Sequence, residues 1–228
     1  YSIGTNAFAC SSIKHLHIPS KLIELEDGWC ERTPNLVNVS ISSENKCFKL
    51  IDKKMIVGKS SSDESNETFD DLKFACRDIG DVIIPSYIKY ISSNCFEECK
   101  KLEKVKFNDN SNIKTIEKRA FYKSSLKSLY IPTNLKELKD GWCAGTSNLV
   151  NISISSENKY FKIIENKMIV GKSNLDENNK IFDVLIFVCR DIEKIKIPSY
   201  IKHISPYCFE NCQKLKSLTF SPNSKLID

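Results

Sequence analysis

The chain has 228 residues, 41% hydrophobic and 28% charged, with a formal net charge of +5. This is the composition of a folded globular protein, and so mild a positive balance does not by itself imply a nucleic-acid or membrane partner. The longest apolar run, Val184 to Cys189, is far short of the ~18 residues that a membrane span needs, so no direct membrane insertion is expected.

Taken in order, the first element is the phrase Ile13-x-x-Leu16-x-Ile18-Pro19, and it comes back along the whole chain. It recurs at Leu36 to Ile41, Ile79 to Ile84, Leu102 to Phe107, Leu126 to Ile131, Leu149 to Ile154, Ile192 to Ile197 and Leu215 to Phe220. Alternate apolar residues in so short a run predict a strand with one face turned inward. The Pro that follows several of these strands has no N–H and ends ladder pairing. Most steps are 23 or 24 residues, which is the spacing of leucine-rich repeats, one strand per unit stacked into a curved parallel sheet. Two steps are 43 residues, so one unit in every four is long.

After each strand comes a second apolar beat, as in Tyr87-Ile88-Lys89-Tyr90-Ile91, and then an aromatic residue beside a small one. These aromatic plugs are Phe8, Trp29, Phe96, Phe121, Trp142 and Phe209. They are expected on the convex return, filling the space between coils. In the long units, Met55 to Ser60 with Leu72 to Cys76, and Met168 to Ser173 with Val184 to Val188, predict two inserted β-hairpins projecting from one side. Their polar tips, Ser61 to Thr68 and Asn174 to Lys180, read as solvated loops, including the acidic pairs Asp63-Glu64 and Asp176-Glu177.

A longer period overlies the short one. Gly28-Trp29-Cys30 returns as Gly141-Trp142-Cys143, a step of 113 residues without insertion or deletion, and more than half of the superposable positions are identical. The chain therefore reads as two tandem copies, about 3–115 and 116–228, forming one continuous mainly-β solenoid. It opens and closes in mid-pattern, so an excerpt of a longer array, truncated at both ends, is expected.

The residues carry little chemistry. There are three histidines; His15 and His17 share one strand face, but no third ligand lies nearby in sequence, so no metal is expected. Cys95-x-x-x-Cys99 and Cys208-x-x-x-Cys212 sit beside aromatic plugs and read as reduced core thiols. No phosphate loop, nucleophile elbow or His-Glu-x-x-His motif occurs, so no catalytic residue, cofactor or enzyme activity is expected. The surface that stands out is the concave one, which solenoids use for binding. Its outward strand positions include His15, His17, Asp81, Lys104, Lys106, Tyr130, Lys194 and Lys196. Between copies the inward residues hold while Asp81 becomes Lys194 and Lys104 becomes Ser217. A fixed core under a variable binding face gives this pattern, and so does drift of a solvated face. Sequons at Asn38 and Asn151 fall on the same face, and a third at Asn66 falls on a hairpin tip.

The phrase Ile197-Pro198-Ser199-Tyr200-Ile201-Lys202-His203-Ile204, continued by Cys208-Phe209-x-x-Cys212-x-x-Leu215-x-x-Leu218-x-Phe220, resembles the BspA-like leucine-rich repeat. Two departures stand out: Cys95 and Cys208 replace the usual Ala before Phe, and Ser92 and Ser205 replace a Gly. Within the class the chain is most similar to surface-antigen-like proteins of mucosal protist parasites. The resemblance covers essentially the whole chain. It implies a non-catalytic, cell-surface or secreted segment adhering to protein or glycan ligands on host cells, matrix or other microbes. It implies no cofactor and no nucleic acid. The alternative is a cytoplasmic protein–protein interaction scaffold, which the many cysteines and the lack of a visible export signal would suit.

Overall fold

The computed structural model describes residues 1–60, 68–108, 110–176 and 178–226; the first hairpin tip, with Asp63, Glu64 and Asn66, and Glu177 of the second, lie outside them. Among the described residues there is no helix, and hence none long and apolar enough to cross a membrane. The chain is a leucine-rich-repeat solenoid, and its described residues form twenty short strands: β1 (Ser2–Ile3), β2 (His15–Ile18), β3 (Glu24–Leu25), β4 (Asn38–Ile41), β5 (Phe48–Ile51), β6 (Met55–Gly58), β7 (Asp71–Ala75), β8 (Val82–Ile84), β9 (Tyr90–Ile91) and β10 (Lys104–Phe107). They continue as β11 (Thr115–Ile116), β12 (Ser128–Ile131), β13 (Glu137–Leu138), β14 (Asn151–Ile154), β15 (Phe161–Ile164), β16 (Met168–Gly171), β17 (Val184–Val188), β18 (Lys194–Ile197), β19 (His203–Ile204) and β20 (Ser217–Phe220).

All eight predicted inner strands form and run parallel. They make three ladders: β2-β4, β8-β10-β12-β14 and β18-β20. In the middle ladder Val105 pairs with Leu129 and with Val82, so inward apolar residues stack coil on coil. The second apolar beat becomes the two-residue strands of a second sheet, in which β9, β11 and β13 are parallel neighbours.

The breaks between ladders fall at the long units, where the insertion differs from a projecting hairpin. Phe48–Ile51 and Phe161–Ile164 add a third strand, so each insertion is an antiparallel meander, β5-β6-β7 or β15-β16-β17. Its last strand joins the second sheet in parallel, β7 to β9 and β17 to β19. All four residues of β6 and of β16 are buried. Met55 and Val57 pack into the middle core while Ile56, Phe48 and Phe74 pack into the N-terminal one. The middle strand of each meander is a wall with core on both faces, which is why Met55–Gly58 and Met168–Gly171 are apolar throughout rather than alternating. Solvent reaches the outer strand and its turn, at Lys49, Asp52 and Lys53 and at Lys162, Glu165 and Asn166, and the tip of the second copy at Asn174 to Asp176. The meander turns carry two successive positive-φ residues, Asp52-Lys53 and Glu165-Asn166, the type I′ pattern that suits a tight hairpin.

Four of the six plugs are buried as expected, with Phe96 and Phe121 at 0%, Trp142 at 3% and Trp29 at 4% exposure; Phe8 and Phe209 are partly buried. Each sits between two left-handed residues four apart: Asn6 and Cys10, Gly28 and Arg32, Asn94 and Glu98, Arg119 and Lys123, Gly141 and Gly145, Tyr207 and Asn211. These corners aim backbone N–H groups at the next coil, as in Phe96 N–H to the Ala120 carbonyl at 2.7 Å and Glu98 N–H to that of Tyr122 at 2.8 Å. At Gly141 a Cβ would lie 2.9 Å from the Tyr207 ring, so glycine serves both the φ and the packing.

Candidate functional site

The middle ladder carries an open groove of about 820 Å³ on its concave face. Strand alternation puts Lys104 and Lys106 of β10, Ser128 and Tyr130 of β12, and Asn151 and Ser153 of β14 along it. The β15–β16 turn closes one end with Asn166 and Lys167. Lys104 and Lys106 are exposed and have no ion pair among the described residues. Lys167 is paired with Asp191 at 2.6 Å. The groove floor therefore presents two uncompensated ammonium groups beside a half-buried tyrosine and a row of hydroxyl and amide groups. Such a set suits a carboxylate- or sulfate-bearing partner.

The other sequence-picked residues are placed as follows. Asp81 is exposed beside the groove, but its Oδ1 accepts the Glu103 and Lys104 backbone N–H groups at 3.1 and 2.8 Å, so it also anchors the start of β10. His15 and His17 lie on the separate β2-β4 ladder, and His17 Nδ1 is 2.9 Å from Ser40 Oγ. Lys194 and Lys196 are exposed on the third ladder, opposite Ser217 and Thr219 of β20. The structure thus gathers Lys104, Lys106 and Tyr130 in one groove and leaves the histidines and the second lysine pair on neighbouring ladders. Asn38 and Asn151 open β4 and β14 and are exposed on this face. Among the described residues no group of three or more His, Cys, Asp or Glu could hold a metal ion.

A buried polar constellation that the sequence reading missed lies at the meanders. Arg77 donates to the Asn94 and Cys95 carbonyls at 3.2 and 3.1 Å, lies 3.8 Å from Glu97, and covers the Phe74 ring at 4.7 Å. Arg190 repeats this over Phe187 at 4.4 Å, donating to the Cys208 carbonyl at 2.8 Å. Glu97 accepts the Arg32 backbone N–H, and Glu210 that of Gly145. Burial pushes the Glu97 carboxyl up against the opposing pull of Arg77. Each arginine splices a meander to the following coil where the ring ladder is interrupted. A local signal existed in the repeated triplet Cys76-Arg77-Asp78 and Cys189-Arg190-Asp191.

All ten cysteines are free. Burial pushes the Cys30 thiol up to about 11 and those of Cys99 and Cys143 up to about 12. They are therefore protonated and poor nucleophiles or metal ligands at neutral pH.

Comparison with known proteins agrees with this architecture. The chain matches the BspA type leucine rich repeat region, in six copies, over residues 1–52, 67–179 and 179–228. No curated protein is significantly similar in sequence. Among solved structures, a leucine-rich repeat protein from Eubacterium ventriosum superposes with a TM-score of 0.66 at 22% identity, over 96% of this chain and 51% of that one. The pneumococcal vaccine antigen PcpA gives 0.60 at 17% identity, over 97% of this chain and 51% of the other. A leucine rich cell surface protein from Faecalibacterium prausnitzii gives 0.55 at 17% identity, over 96% and 64%. The chain thus spans about half the length of the first two, and likenesses at such identity speak for the fold. Leucine-rich repeat proteins generally bind proteins and are generally not catalysts. With the repeat pattern, the parallel ladders and the family match in agreement, the chain belongs to the BspA-type leucine-rich repeat family.

Proposed function

We propose that the chain is a non-catalytic binding segment of a cell-surface or secreted protein, adhering through its concave face to protein or glycan ligands on host cells, matrix or other microbes. The two tandem copies act as one continuous solenoid in this reading. The observation that carries it is the groove over β10, β12 and β14, where Lys104 and Lys106 stand beside Tyr130 without carboxylate partners among the described residues. Two matched structures, one named a vaccine antigen and one a cell surface protein, support the extracellular part. The chemistry shared by fitting ligands is a carboxylate or sulfate. Probing glycan and extracellular-protein arrays with the recombinant chain tests this, and binding should concentrate on acidic glycans or acidic proteins. Failure to bind any array component, or equal binding to neutral and acidic ones, would count against it.

A second reading, a cytoplasmic interaction scaffold, is favoured by the ten free cysteines. The same groove would then take an acidic intracellular protein. Thiol state in protein taken from its native source separates the two compartments.

A further inference from the structure

The first meander borders a pocket that shares no residue with the concave groove. Lys49 pairs with Val57 across β5 and β6, so their side chains share one face, whereas Phe48 lies on the other face with the N-terminal core. Together with the turn after β8, which carries Tyr87 and Lys89, Lys49 and Val57 line a pocket of about 500 Å³. Leu50, Ile51, Phe69 and Asp70 add to the lining, and the next coil contributes Asn112. Coils stack on both sides of it, with β2 and β4 before the meander and β10 to β14 after β9.

This volume is within the roughly 300–1,000 Å³ of small-molecule sites, which are mostly apolar with a few convergent polar groups. The apolar part is Leu50, Ile51, Val57, Phe69 and the Tyr87 ring. Among the charged groups, Lys89 is held by Asp70 at 2.9 Å. Lys49 is exposed, its ammonium lies 4.1 Å from the Phe69 ring centroid, and it has no carboxylate partner among the described residues. Lys59 stands 5.8 Å from the same ring centroid. Tyr87 is 50% exposed, and its hydroxyl has no hydrogen-bond partner among the described residues. Burial, and after it the charge of Asp52, push that hydroxyl up, so it is a neutral donor near pH 7.

The duplication separates what is held from what drifts. Seven of the ten lining residues recur unchanged 113 positions later, among them Lys162, Phe182, Tyr200 and Lys202. Lys162 again lies over Phe182, at 4.4 Å. In the concave groove, by contrast, Lys104, Lys106, Ser128 and Tyr130 are answered by Ser217, Thr219, His15 and His17. Packing accounts for keeping Val57 or Phe69. It does not account for keeping an exposed lysine without a carboxylate and a half-exposed tyrosine without an acceptor.

We propose that this pocket is a binding site for a small aromatic carboxylate, whose ring packs among Leu50, Ile51, Phe69 and Tyr87 and whose carboxylate pairs with the Lys49 ammonium. One free ammonium in the lining matches one negative charge. Contact with the Phe69 and Tyr87 rings favours an aromatic body over an aliphatic one. The site is separate from the groove, and neither depends on the other.

Methyl NMR of the isotope-labelled chain tests this, with benzoate, phenylacetate and indole-3-acetate as probes and their amides as neutral controls. Saturable shifts are expected at the Leu50, Ile51 and Val57 methyls, and the amides are expected to bind more weakly by roughly tenfold. Lys49→Gln and Tyr87→Ala change exposed side chains and leave the spectrum native elsewhere. Each is expected to weaken acid binding by roughly fivefold or more, while Lys49→Arg retains it. No saturable shift at these methyls with any of the three acids, equal binding of acids and amides, or undiminished binding by Lys49→Gln or Tyr87→Ala would each overturn the proposal.

Discussion

The Arg77 guanidinium lies over the Phe74 ring, 4.7 Å from its centroid, and the second copy repeats the arrangement with Arg190 over Phe187. The charge is not an accident of one coil; it is built into each place where a meander hands the core on to the next repeat. Arg77→Met leaves Glu97, at 0% exposure, without its counter-charge. Breaking such a buried pair from one side is expected to cost about 3–5 kcal/mol. The double variant Arg77→Met with Glu97→Met should recover a large part of that loss. A double-mutant cycle by urea unfolding measures it; a single-site loss under about 1 kcal/mol would show that the pair does not matter.

Trp142 touches Phe121 at 6.2 Å edge-on and Phe187 at 5.7 Å, so it links an ordinary coil to a meander. Trp142→Ala opens a cavity between them and should destabilise the fold by about 3–5 kcal/mol. Chemical denaturation reads this directly, and a loss below about 1 kcal/mol would mean that the neighbouring rings close the space.

How much of this the residues announced differs from element to element. The inner strands were legible because Leu126-x-x-Leu129-x-Ile131 and its seven relatives recur at near-constant spacing. The plugs were legible because large rings beside small residues recur at the same phase. The third meander strand was not, since Phe48-Lys49-Leu50-Ile51 follows a strand and gives no local sign that it turns inward. Arg77 escaped because a buried arginine and a surface arginine look alike until the fold supplies Phe74 and the Cys95 carbonyl. Likewise Lys104, Lys106 and Tyr130 were readable as one face, but which of the eight picked residues share a groove depends on where the meanders cut the ladder.

Acid should loosen the meanders first. Burial alone would raise the Asp183 carboxyl, but the Ser173 backbone N–H, the Ser173 hydroxyl and Lys202 together hold it below its ordinary value. Asp70 is held down in the same way by Lys89 and Ser60 against the same burial. A carboxyl lowered in the folded state adds stability that is present above its unfolded value and is lost as pH falls through the folded one. Thermal melting temperature should therefore drop as pH falls below about 4, and Asp70→Asn with Asp183→Asn should flatten that drop. An unchanged slope in the double variant would assign the acid sensitivity elsewhere.

Thiol reactivity should sort by burial. Cys10 is exposed, while Cys30, Cys76, Cys95, Cys99, Cys143, Cys189 and Cys208 are buried, with thiols that burial pushes upward. An aromatic disulfide reagent should modify Cys10 at once in the native chain and reach all ten only after unfolding. Rapid native modification of Cys95 or Cys99 would show that the coils open readily.

The central claim is that the groove over the middle ladder holds an acidic partner. The most direct measurement is equilibrium binding, by biolayer interferometry, of the best acidic array ligand to the native chain, to Lys104→Glu with Lys106→Glu, and to Lys194→Glu with Lys196→Glu as a matched control on the next ladder. The account predicts that reversing Lys104 and Lys106 weakens binding by roughly tenfold or more, that the control changes it less, and that added salt weakens the native complex. Undiminished binding by the groove variant, with its fold intact, would contradict it.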